Sequence, residues 1–388
     1  MRSMRTIYLD NAATTKVRQS VLDVMNEVEN ALYFNSAAVY TGSLNVKKAI
    51  ENSKDIIKNR LTKSGRGEVI FTSGATEGNN IVILGKILNK RNHLVVFAGE
   101  HSSVYAPSVY LKNAGFEVDY VTLKNSGEVN LESLEKLIRP NTALVVFGLV
   151  NSDIGIIQNA QEIIRIIRQK NSKTHIHCDA VQGFCMFDFD VENMGLDSAV
   201  VSAHKVYGPK GIGALWLRSG AKLQPIMFGG SQQDYRPGTE SNATIIGFGN
   251  AIESFDTEKS FTYITTLRDH LVSNLPYGCS LNSMKESITS QNLSHSTTAC
   301  QSPYITNILL PSGILGGTVM NALSARGIYV GIGSACASKT AKNRTLLAMG
   351  LSEQKTQQVL RVSLGQYNTI EEIDIFLFEL RNILNELG

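Results

Sequence analysis

The sequence has few of the features that mark membrane proteins, secreted proteins or nucleic-acid-binding proteins. No apolar run reaches the roughly 18–20 residues that a membrane-spanning helix requires. The N-terminal segment MRSMRTIYLD lacks the apolar stretch of a signal peptide, so we expect the protein in the cytoplasm. The net charge of +3 over 388 residues is too small to indicate nucleic acid or a membrane surface as a partner.

Cysteine is also scarce. The chain has five cysteines, which are scattered and odd in number, and this argues against a disulfide framework. They are Cys178, Cys185, Cys279, Cys300 and Cys336. No CxxC pair is present, and we expect no metal site. A hydrophobic content of 43% over this length predicts a large core and two domains.

Apolar, β-branched segments alternate with helix-like stretches through the first half of the chain. The predicted strands lie at 68–73, 93–99, 117–123, 142–150, 174–180, 197–204 and 211–218. Such alternation predicts an α/β fold in which a mostly parallel seven-stranded sheet lies between helices. We assign this large domain to residues 15–245.

The C-terminal part predicts a smaller α+β domain. One long helix is expected to start near Ala243, and a polar stretch at 283–303 is expected to be a solvated loop. Strands at 305–311 and 359–365 and helices at 317–327 and 369–387 are expected to follow. Thr369 and Glu372 form a capping box at the start of the last helix. We assign residues 1–14 and 246–388 to this domain, with a mobile cysteine loop at about 331–343.

Lys205 directly follows the apolar strand AVVSA, where a lysine is unusual unless it has a function. Its amine could form a Schiff base with an aldehyde cofactor. A second segment, FTSGATEGNN (71–80), places a small turn between a strand and a helix. Its backbone N–H groups and the Thr76 hydroxyl could bind an anion, although the pattern also fits a simple tight turn. The spacing differs from the dinucleotide GxGxxG pattern and disfavours a nicotinamide cofactor.

Two further polar residues end predicted strands. Asp179 lies where open α/β sheets bind ligands and could keep a pyridine nitrogen protonated, or it could cap a turn. His101 could stack on a flat ring or transfer protons, or it could be structural. His175 and His177 alternate along one strand and face the same side. No carboxylate partner is evident for them, so a metal is not expected.

Arg361 and Cys336 are the remaining candidates from the residues alone. Arg361 lies in the apolar strand VLRVSLG, and a buried guanidinium requires a carboxylate, from Asp or Glu or from a substrate. Cys336 lies in GIGSACAS (331–338), whose small residues are typical of a mobile loop. The nearby Lys339 and Lys342 would favour its thiolate, which is a strong nucleophile.

Taken in order and spacing, these segments resemble the cysteine desulfurases of the NifS/IscS type. These are fold-type I pyridoxal-phosphate enzymes of the class V aminotransferase family. The resemblance covers nearly the whole chain. It rests on YLDNAATT (8–15), TSGATE, EHSSV (100–104), HCDAVQ (177–182), SAHKVYGPKG (202–211), RPGTE (236–240), GSACAS and RVSLG.

The resemblance implies pyridoxal 5'-phosphate as the cofactor. Lys205 would hold its aldehyde, Asp179 would pair with the pyridine nitrogen, and Gln182 would pair with the phenolic oxygen. His101 would stack on the ring. The implied phosphate ligands are Ala75, Thr76, Ser202, His204 and, from the neighbouring subunit of a homodimer, Thr239.

The resemblance also implies the reaction and its partners. Asn35 and Arg361 would bind the carboxylate of L-cysteine. Cys336 would attack the substrate sulfur and become a persulfide, leaving L-alanine. The sulfur would then pass to an acceptor protein for iron–sulfur cluster assembly or thiolation.

Three segments depart from the family pattern. Ser152 replaces an asparagine that helps to hold cofactor and substrate, so that contact is lost or water-mediated. The segment from Asn35 to Tyr40 lacks the usual proline and histidine, and the segment after Cys336 lacks the usual Pro-Ser. These departures suggest altered substrate handling or a dedicated acceptor. An aminotransferase, selenocysteine lyase or C–S lyase on the same fold, or a non-catalytic sulfur-assembly scaffold, are the alternatives.

Overall fold

A computed structural model of the chain describes residues 6–87, 93–230, 232–282, 293, 298–333 and 343–387. The predicted mobile segment around Cys336 lies largely outside these ranges, and so do Lys339, Lys342 and most of the predicted polar loop. No helix in the described ranges is long and apolar enough to cross a membrane.

The strands and helices follow the alternation that the sequence predicts. In chain order the strands are β1 (Ile7–Tyr8), β2 (Glu68–Thr72), β3 (His93–Phe97), β4 (Glu117–Val121), β5 (Thr142–Gly148), β6 (Ile156–Ile157), β7 (His175–Asp179), β8 (Ser198–Ser202), β9 (Gly213–Leu217), β10 (Ser280–Leu281), β11 (Cys300–Gln301), β12 (Ile305–Leu309), β13 (Ile328–Tyr329) and β14 (Val359–Ser363). The helices are α1 (Gln19–Ala31), α2 (Thr41–Leu61), α3 (Ala75–Ile87), α4 (Ser102–Asn113), α5 (Leu131–Leu137), α6 (Ala160–Lys170), α7 (Asn242–Glu253), α8 (Thr257–Ser273), α9 (Gly316–Ala325), α10 (Arg344–Ala348), α11 (Glu353–Thr356) and α12 (Ile370–Leu387).

Seven strands form the main sheet, in the order β2-β9-β8-β7-β5-β3-β4. Neighbouring strands are parallel except at β9, which runs antiparallel to both β2 and β8. All seven residues of β5 are buried, as expected for a strand covered on both faces. The predicted fold class, a mostly parallel seven-stranded sheet between helices, is therefore confirmed.

Alternate residues of the strands pack into two different hydrophobic clusters. In β3, Leu94 and Val96 belong to the cluster that contains Ile81 of α3. Val95 belongs to the larger cluster that contains Ile163 of α6. The two-residue period of a strand thus separates helices onto opposite faces of the sheet.

The C-terminal part contains a three-stranded antiparallel sheet in the order β10-β12-β14. The single long helix predicted from Ala243 is wrong, because the chain forms α7 and α8 there. The Asp256 side chain caps α8 by accepting a hydrogen bond from the backbone N of Lys259 at 3.0 Å, and a cap favours a new helix start. The predicted cap at Thr369 is present, since its Oγ1 accepts from the backbone N of Glu372 at 3.2 Å.

The predicted solvated loop at 283–303 is wrong over its described end. Cys300 and Gln301 form β11, which pairs with β6. Gln301 is buried, and its Nε2 donates hydrogen bonds to the backbone oxygens of Ile154 and Ile305. A polar side chain can be buried in this way when its donors are satisfied.

Several chain segments meet at the carboxyl end of the main sheet. The segment after β1 reaches this edge, where Thr15 N donates to His204 O at 2.9 Å. The same segment contacts β14, since Ala12 N donates to the Ser363 hydroxyl at 2.9 Å. The carboxyl ends of parallel strands are where open α/β sheets bind ligands. The predicted limits of the two domains stay a prediction.

Candidate active site

A cavity of about 690 Å³ opens at this edge of the sheet. Ten residues predicted from the sequence to act in a site line it together. They are Ala75, Thr76, His101, Ser152, Asp179, Gln182, Ser202, His204, Lys205 and Arg361. Each follows or ends a strand or begins a helix, except Arg361, which reaches the cavity from within β14.

Lys205 ends a short 3-10 turn, Ala203–Lys205, that directly follows β8. Its Nζ donates hydrogen bonds to the backbone oxygens of Ala12 and Ala13, the latter at 2.7 Å. Burial and the positive charge of Arg361 lower the pKa of this amine to about 8. At pH 7 about a tenth of the amine is therefore neutral, far more than in an unshifted lysine, and the neutral amine is the state that attacks an aldehyde.

Asp179 ends β7, and its carboxylate is held from two sides. Oδ1 accepts a hydrogen bond from Val181 N at 3.1 Å, and Oδ2 accepts one from Asn79 Nδ2 at 2.9 Å. Asn79 lies in α3 and is completely buried. Both bonds fix the direction of a carboxylate that lines the cavity.

His101 precedes α4 and caps it. Its Nδ1 accepts a hydrogen bond from Ser103 N at 3.1 Å and lies 2.8 Å from the Ser103 hydroxyl. Burial lowers the pKa of the ring, with Lys205 also disfavouring its charged form. The ring is therefore neutral at neutral pH, and because Nδ1 accepts, Nε2 carries the proton.

The turn before α3 approaches β9 very closely. A Cβ atom on Gly213 of β9 would lie 2.8 Å from the Cα of Gly74, so only glycine fits there without displacement. The N-terminus of this 13-residue helix exposes backbone N–H groups beside Ala75 and Thr76. Burial, and then the charge of Lys205, lowers the pKa of the neighbouring His204 to about 4.

Arg361 is held through both of its terminal nitrogens, and Asp153 Oδ1 lies 3.9 Å from its Nη1. Its Nη2 donates to Asp10 Oδ1 at 2.7 Å, and its Nη1 donates to Ser152 O at 2.9 Å. Its Nε is buried and has no hydrogen-bond partner among the described residues. A buried donor without a partner is costly, and the Arg361 side chain as a whole lines the cavity, where its positive charge favours an anionic group.

The comparisons with known proteins agree with this geometry. Residues 7–376 match the family model described as aminotransferase class-V. The chain is 34% identical to cysteine desulfurase IscS 1 of Archaeoglobus fulgidus over 98% of its own length and 97% of the relative's. It is 34% identical to a probable mitochondrial cysteine desulfurase of Schizosaccharomyces pombe, over 99% of this chain and 75% of that one.

Solved structures give the same result. A NifS-like protein, 31% identical, superposes with a TM-score of 0.88 over 98% of this chain and 100% of that chain. A structure of SspA in complex with cysteine, also 31% identical, has a TM-score of 0.78 over 94% of this chain and 100% of that chain. The chain belongs to the cysteine desulfurases of the class-V aminotransferase family. The family and enzyme class predicted from the sequence are thereby confirmed.

Of three further residues that the resemblance implies for a cysteine desulfurase, two lie outside the cavity lining and one lies outside the described residues. Asn35 and Thr239 are exposed and do not line it. The third, Cys336, lies outside the described residues. Gly333, shortly before it in the chain, does line the cavity. The roles of all three stay predictions.

The Ser152 segment is organised by its neighbour. Asn151 Oδ1 accepts hydrogen bonds from Asp153 N at 2.9 Å and Ile154 N at 3.2 Å, and its Nδ2 donates to Gly99 O. Ser152 lines the cavity and offers its backbone oxygen to Arg361. The turn thus positions Ser152 even though its side chain is shorter than the asparagine usual in the family.

The sequence assigned no role to two polar residues at the site, Asn79, which is completely buried, and Glu100, which lines the cavity. Glu100 accepts a hydrogen bond from Gly148 N at 2.7 Å, where strand β3 no longer pairs with β5. Burial, together with the charge of Asp179, raises the pKa of Glu100 to about 8. Asn79 lies in the polar first turns of α3, before the apolar run that starts at Ile81, so no local pattern marked it for burial.

Proposed function

We propose that this protein is a pyridoxal-phosphate-dependent cysteine desulfurase that converts L-cysteine to L-alanine and receives the sulfur on Cys336. The observation that carries this proposal is the cavity that the side chains of Lys205, Asp179 and Arg361 line together. Together they can bind an aldehyde, a pyridine nitrogen and a carboxylate. An amino acid bound to a pyridoxal cofactor requires these three kinds of contact.

The residues present fit pyridoxal 5'-phosphate. The cofactor, when bound, withdraws electrons from the substrate's α-carbon and weakens the bonds around it. Lys205 would bind the aldehyde, Asp179 would hold the proton of the ring nitrogen, and His101 would stack on the ring. Gln182, whose Nε2 now donates to Ala12 O at 3.0 Å, would meet the phenolic oxygen.

The phosphate group would lie at the start of α3. Its expected ligands are Ala75, Thr76, Ser202 and His204. Thr239 would serve the other subunit of a homodimer, which its exposure outside its own cavity supports. An ion pair of 3.1 Å between Arg236 and Glu77 holds the segment before Thr239 close to the same turn.

The substrate carboxylate would bind the positively charged Arg361, with Asn35 as a second contact and Ser152 beside it. The Cys336 thiolate would attack the substrate sulfur. The carbon–sulfur bond breaks, its electron pair stays with the substrate carbon, and protonation of that carbon, with Lys205 as the proton carrier, yields alanine. Cys336 gains one sulfur atom as a persulfide.

The persulfide would pass to an acceptor protein for iron–sulfur cluster assembly or thiolation, in the cytoplasm. The departures near Tyr40 and after Cys336 support a dedicated acceptor. These assignments rest on the family resemblance, and the acceptor's identity is a matter for pull-down with the persulfide-bearing protein.

The reaction is tested by incubating the protein with L-cysteine and a thiol reductant and measuring alanine and sulfide together. Wild type should release both in equal amounts, and Cys336→Ala should release neither, since no thiolate attacks the substrate sulfur. Equal alanine from both proteins would contradict the persulfide route, and pyruvate would indicate β-elimination. Absence of a visible absorption band after cofactor addition would favour a non-catalytic scaffold.

A further inference from the structure

A chain of buried hydrogen bonds runs from the cavity through the main sheet, and Asn79 is its branch point. Asn79 Nδ2 donates to Asp179 Oδ2 at 2.9 Å and to Ser103 Oγ at 2.8 Å. Asn79 Oδ1 lies 2.9 Å from His177 Nε2. Because Asn79 is completely buried, water does not compete for these three contacts.

The inner branch continues into β8. His177 Nδ1 lies 2.8 Å from the Ser198 hydroxyl, and that hydroxyl lies 2.8 Å from His175 Nε2. His177 and Ser198 are completely buried and His175 almost so. The two histidines share one face of β7, as their spacing predicted, and they hydrogen-bond to a serine. Among the described residues there is no cluster that could hold a metal ion.

Donor and acceptor chemistry fixes the direction of every bond in the inner branch. The amide oxygen of Asn79 can only accept, so His177 Nε2 must carry the proton. Burial lowers the pKa of His177 to about 3, so the ring is neutral and its Nδ1 is bare. The Ser198 hydroxyl therefore donates to Nδ1 and accepts from His175 Nε2.

The outer branch is fixed in the same way. Ser103 Oγ accepts from Asn79, so its own proton goes to His101 Nδ1, which already accepts from Ser103 N. An inverted Asn79 amide would place its oxygen against both the Asp179 carboxylate and Ser103, and its NH₂ group against the proton of His177. Only one amide orientation satisfies all partners.

We propose that Asn79 is a positioning residue that fixes the hydrogen-bonding state of both Asp179 and His101, and that the chain His177–Ser198–His175 holds its amide in the one orientation that does so. This inference rests on the proposed function, because Asp179 and His101 are the residues expected to contact the cofactor ring. A single amide thereby links the partner of the ring nitrogen to the residue stacked on the ring. Ser198, which does not line the cavity, acts on both from a distance.

The test uses Ser198→Ala in the cofactor-loaded full-length enzyme, with Ser108→Ala as the matched control. Both serines are completely buried, and among the residues that the structure describes Ser108 Oγ bonds to Tyr105 O and the Tyr120 hydroxyl. Without the Ser198 hydroxyl, His177 Nδ1 loses its donor, so the ring is no longer held with its Nε2–H directed at the Asn79 oxygen and the Asn79 amide loses one of its fixed contacts. Asn79→Asp tests the branch point directly, since it replaces the NH₂ donor with an acceptor.

Two readouts separate positioning from simple loss of stability. Long-range ¹H–¹⁵N correlation spectra of histidine-labelled protein report which ring nitrogen carries each proton, and the chain has seven histidines to assign. Wild type and Ser108→Ala should show Nε2–H rings at 101, 175 and 177. In Ser198→Ala and Asn79→Asp the His101 and His177 signals should shift. Cofactor dissociation constants should rise about tenfold, the equivalent of ~1.4 kcal/mol or one buried hydrogen bond.

Unchanged His101 signals in Ser198→Ala, or equal cofactor affinity in Ser198→Ala and Ser108→Ala, would overturn the proposal. If Asn79→Asp does not fold, the comparison of Ser198→Ala with Ser108→Ala still tests the proposal. Alanine release by wild type is measured in parallel. A wild type that binds cofactor without releasing alanine would contradict the proposed function alone, since the histidine spectra and cofactor affinities do not depend on turnover.

Discussion

At the residue scale, burial shifts the pKa values of several side chains around the cavity toward their neutral forms. The pKa of Lys205 falls to about 8 and that of His204 to about 4, while that of Glu100 rises to about 8. His101 is also shifted toward its neutral form. Hydrogen bonds therefore set which atom of each ring or amide faces the cavity, and this gives the Asn79 network its importance.

The lowered pKa of Lys205 predicts how cofactor capture depends on pH. Only the neutral amine attacks an aldehyde, and its fraction rises with pH through the pKa. The rate of covalent capture by cofactor-free protein should therefore rise with pH and reach half its maximum near pH 8. This rate is measured by mixing cofactor-free protein with pyridoxal phosphate, quenching samples with borohydride at successive times, and measuring the cofactor that is covalently bound.

Lys205→Ala is the control for that measurement and should trap no cofactor at the site. A lysine without the shift has a pKa of about 10.4, so its capture rate would still be climbing steeply at pH 9. A profile of that kind in the wild type would contradict the assignment of a buried, partly neutral Lys205.

The site residues at strand ends could be predicted from the sequence. The hydrogen-bond network around Asn79 that fixes them could not. Lys205, Asp179 and His101 each follow an apolar run, so their place at the sheet edge follows from the fold class. Asn79 bonds to Ser103, 24 positions away, and to Asp179, 100 positions away. No local pattern encodes a contact that depends on how two helices pack against the sheet.

At the element scale, long apolar runs in the sequence predicted the strands of the main sheet correctly. The wrong predictions fell in segments where polar side chains decide the structure. The helix pattern after Ala243 conceals a break between α7 and α8, where Asp256 starts a new helix. The described end of the predicted polar loop forms β11 because Gln301 satisfies its donors internally. In both cases a side-chain hydrogen bond outweighed the hydrophobic pattern.

The close approach of β9 to the turn before α3 gives a prediction for Gly213→Ala. The added Cβ would meet Val201 O at 2.7 Å and Gly74 Cα at 2.8 Å, which forces the turn away from the sheet. We expect a loss of about 1–3 kcal/mol in unfolding free energy, from overpacking. Cofactor affinity should fall as well, because the displaced turn carries the expected phosphate contacts. Thermal melting and cofactor titration measure the two effects.

Gly317→Ala provides the matched control. Gly317 lies in α9, has no left-handed backbone conformation, and a Cβ there would meet nothing within 4 Å. It should be neutral or slightly stabilising. The prediction would be contradicted if Gly213→Ala melted at the same temperature as Gly317→Ala and bound the cofactor with wild-type affinity, since the turn would then not depend on this glycine.

At the scale of the whole molecule, the cavity joins parts of the chain that are far apart in sequence. Lys205 follows β8 of the main sheet, Arg361 comes from the C-terminal sheet, and Asp10 pairs with Arg361 from the N-terminal segment. This meeting of segments is a property of the family fold, and the resemblance predicted it. The resemblance assigns Thr239 to the neighbouring subunit, and Thr239 does not line the cavity of its own chain, whereas the position of Asn35 outside the lining was not predicted.

The central claim is that sulfur moves from L-cysteine to Cys336. It is tested most directly by mixing the cofactor-loaded protein with one equivalent of L-cysteine, without reductant, and measuring protein mass and free alanine. We predict a gain of one sulfur atom per chain, located on the peptide that contains Cys336, with an equal amount of alanine. Alanine formed without added sulfur on that peptide, or sulfur found on another cysteine, would contradict the account.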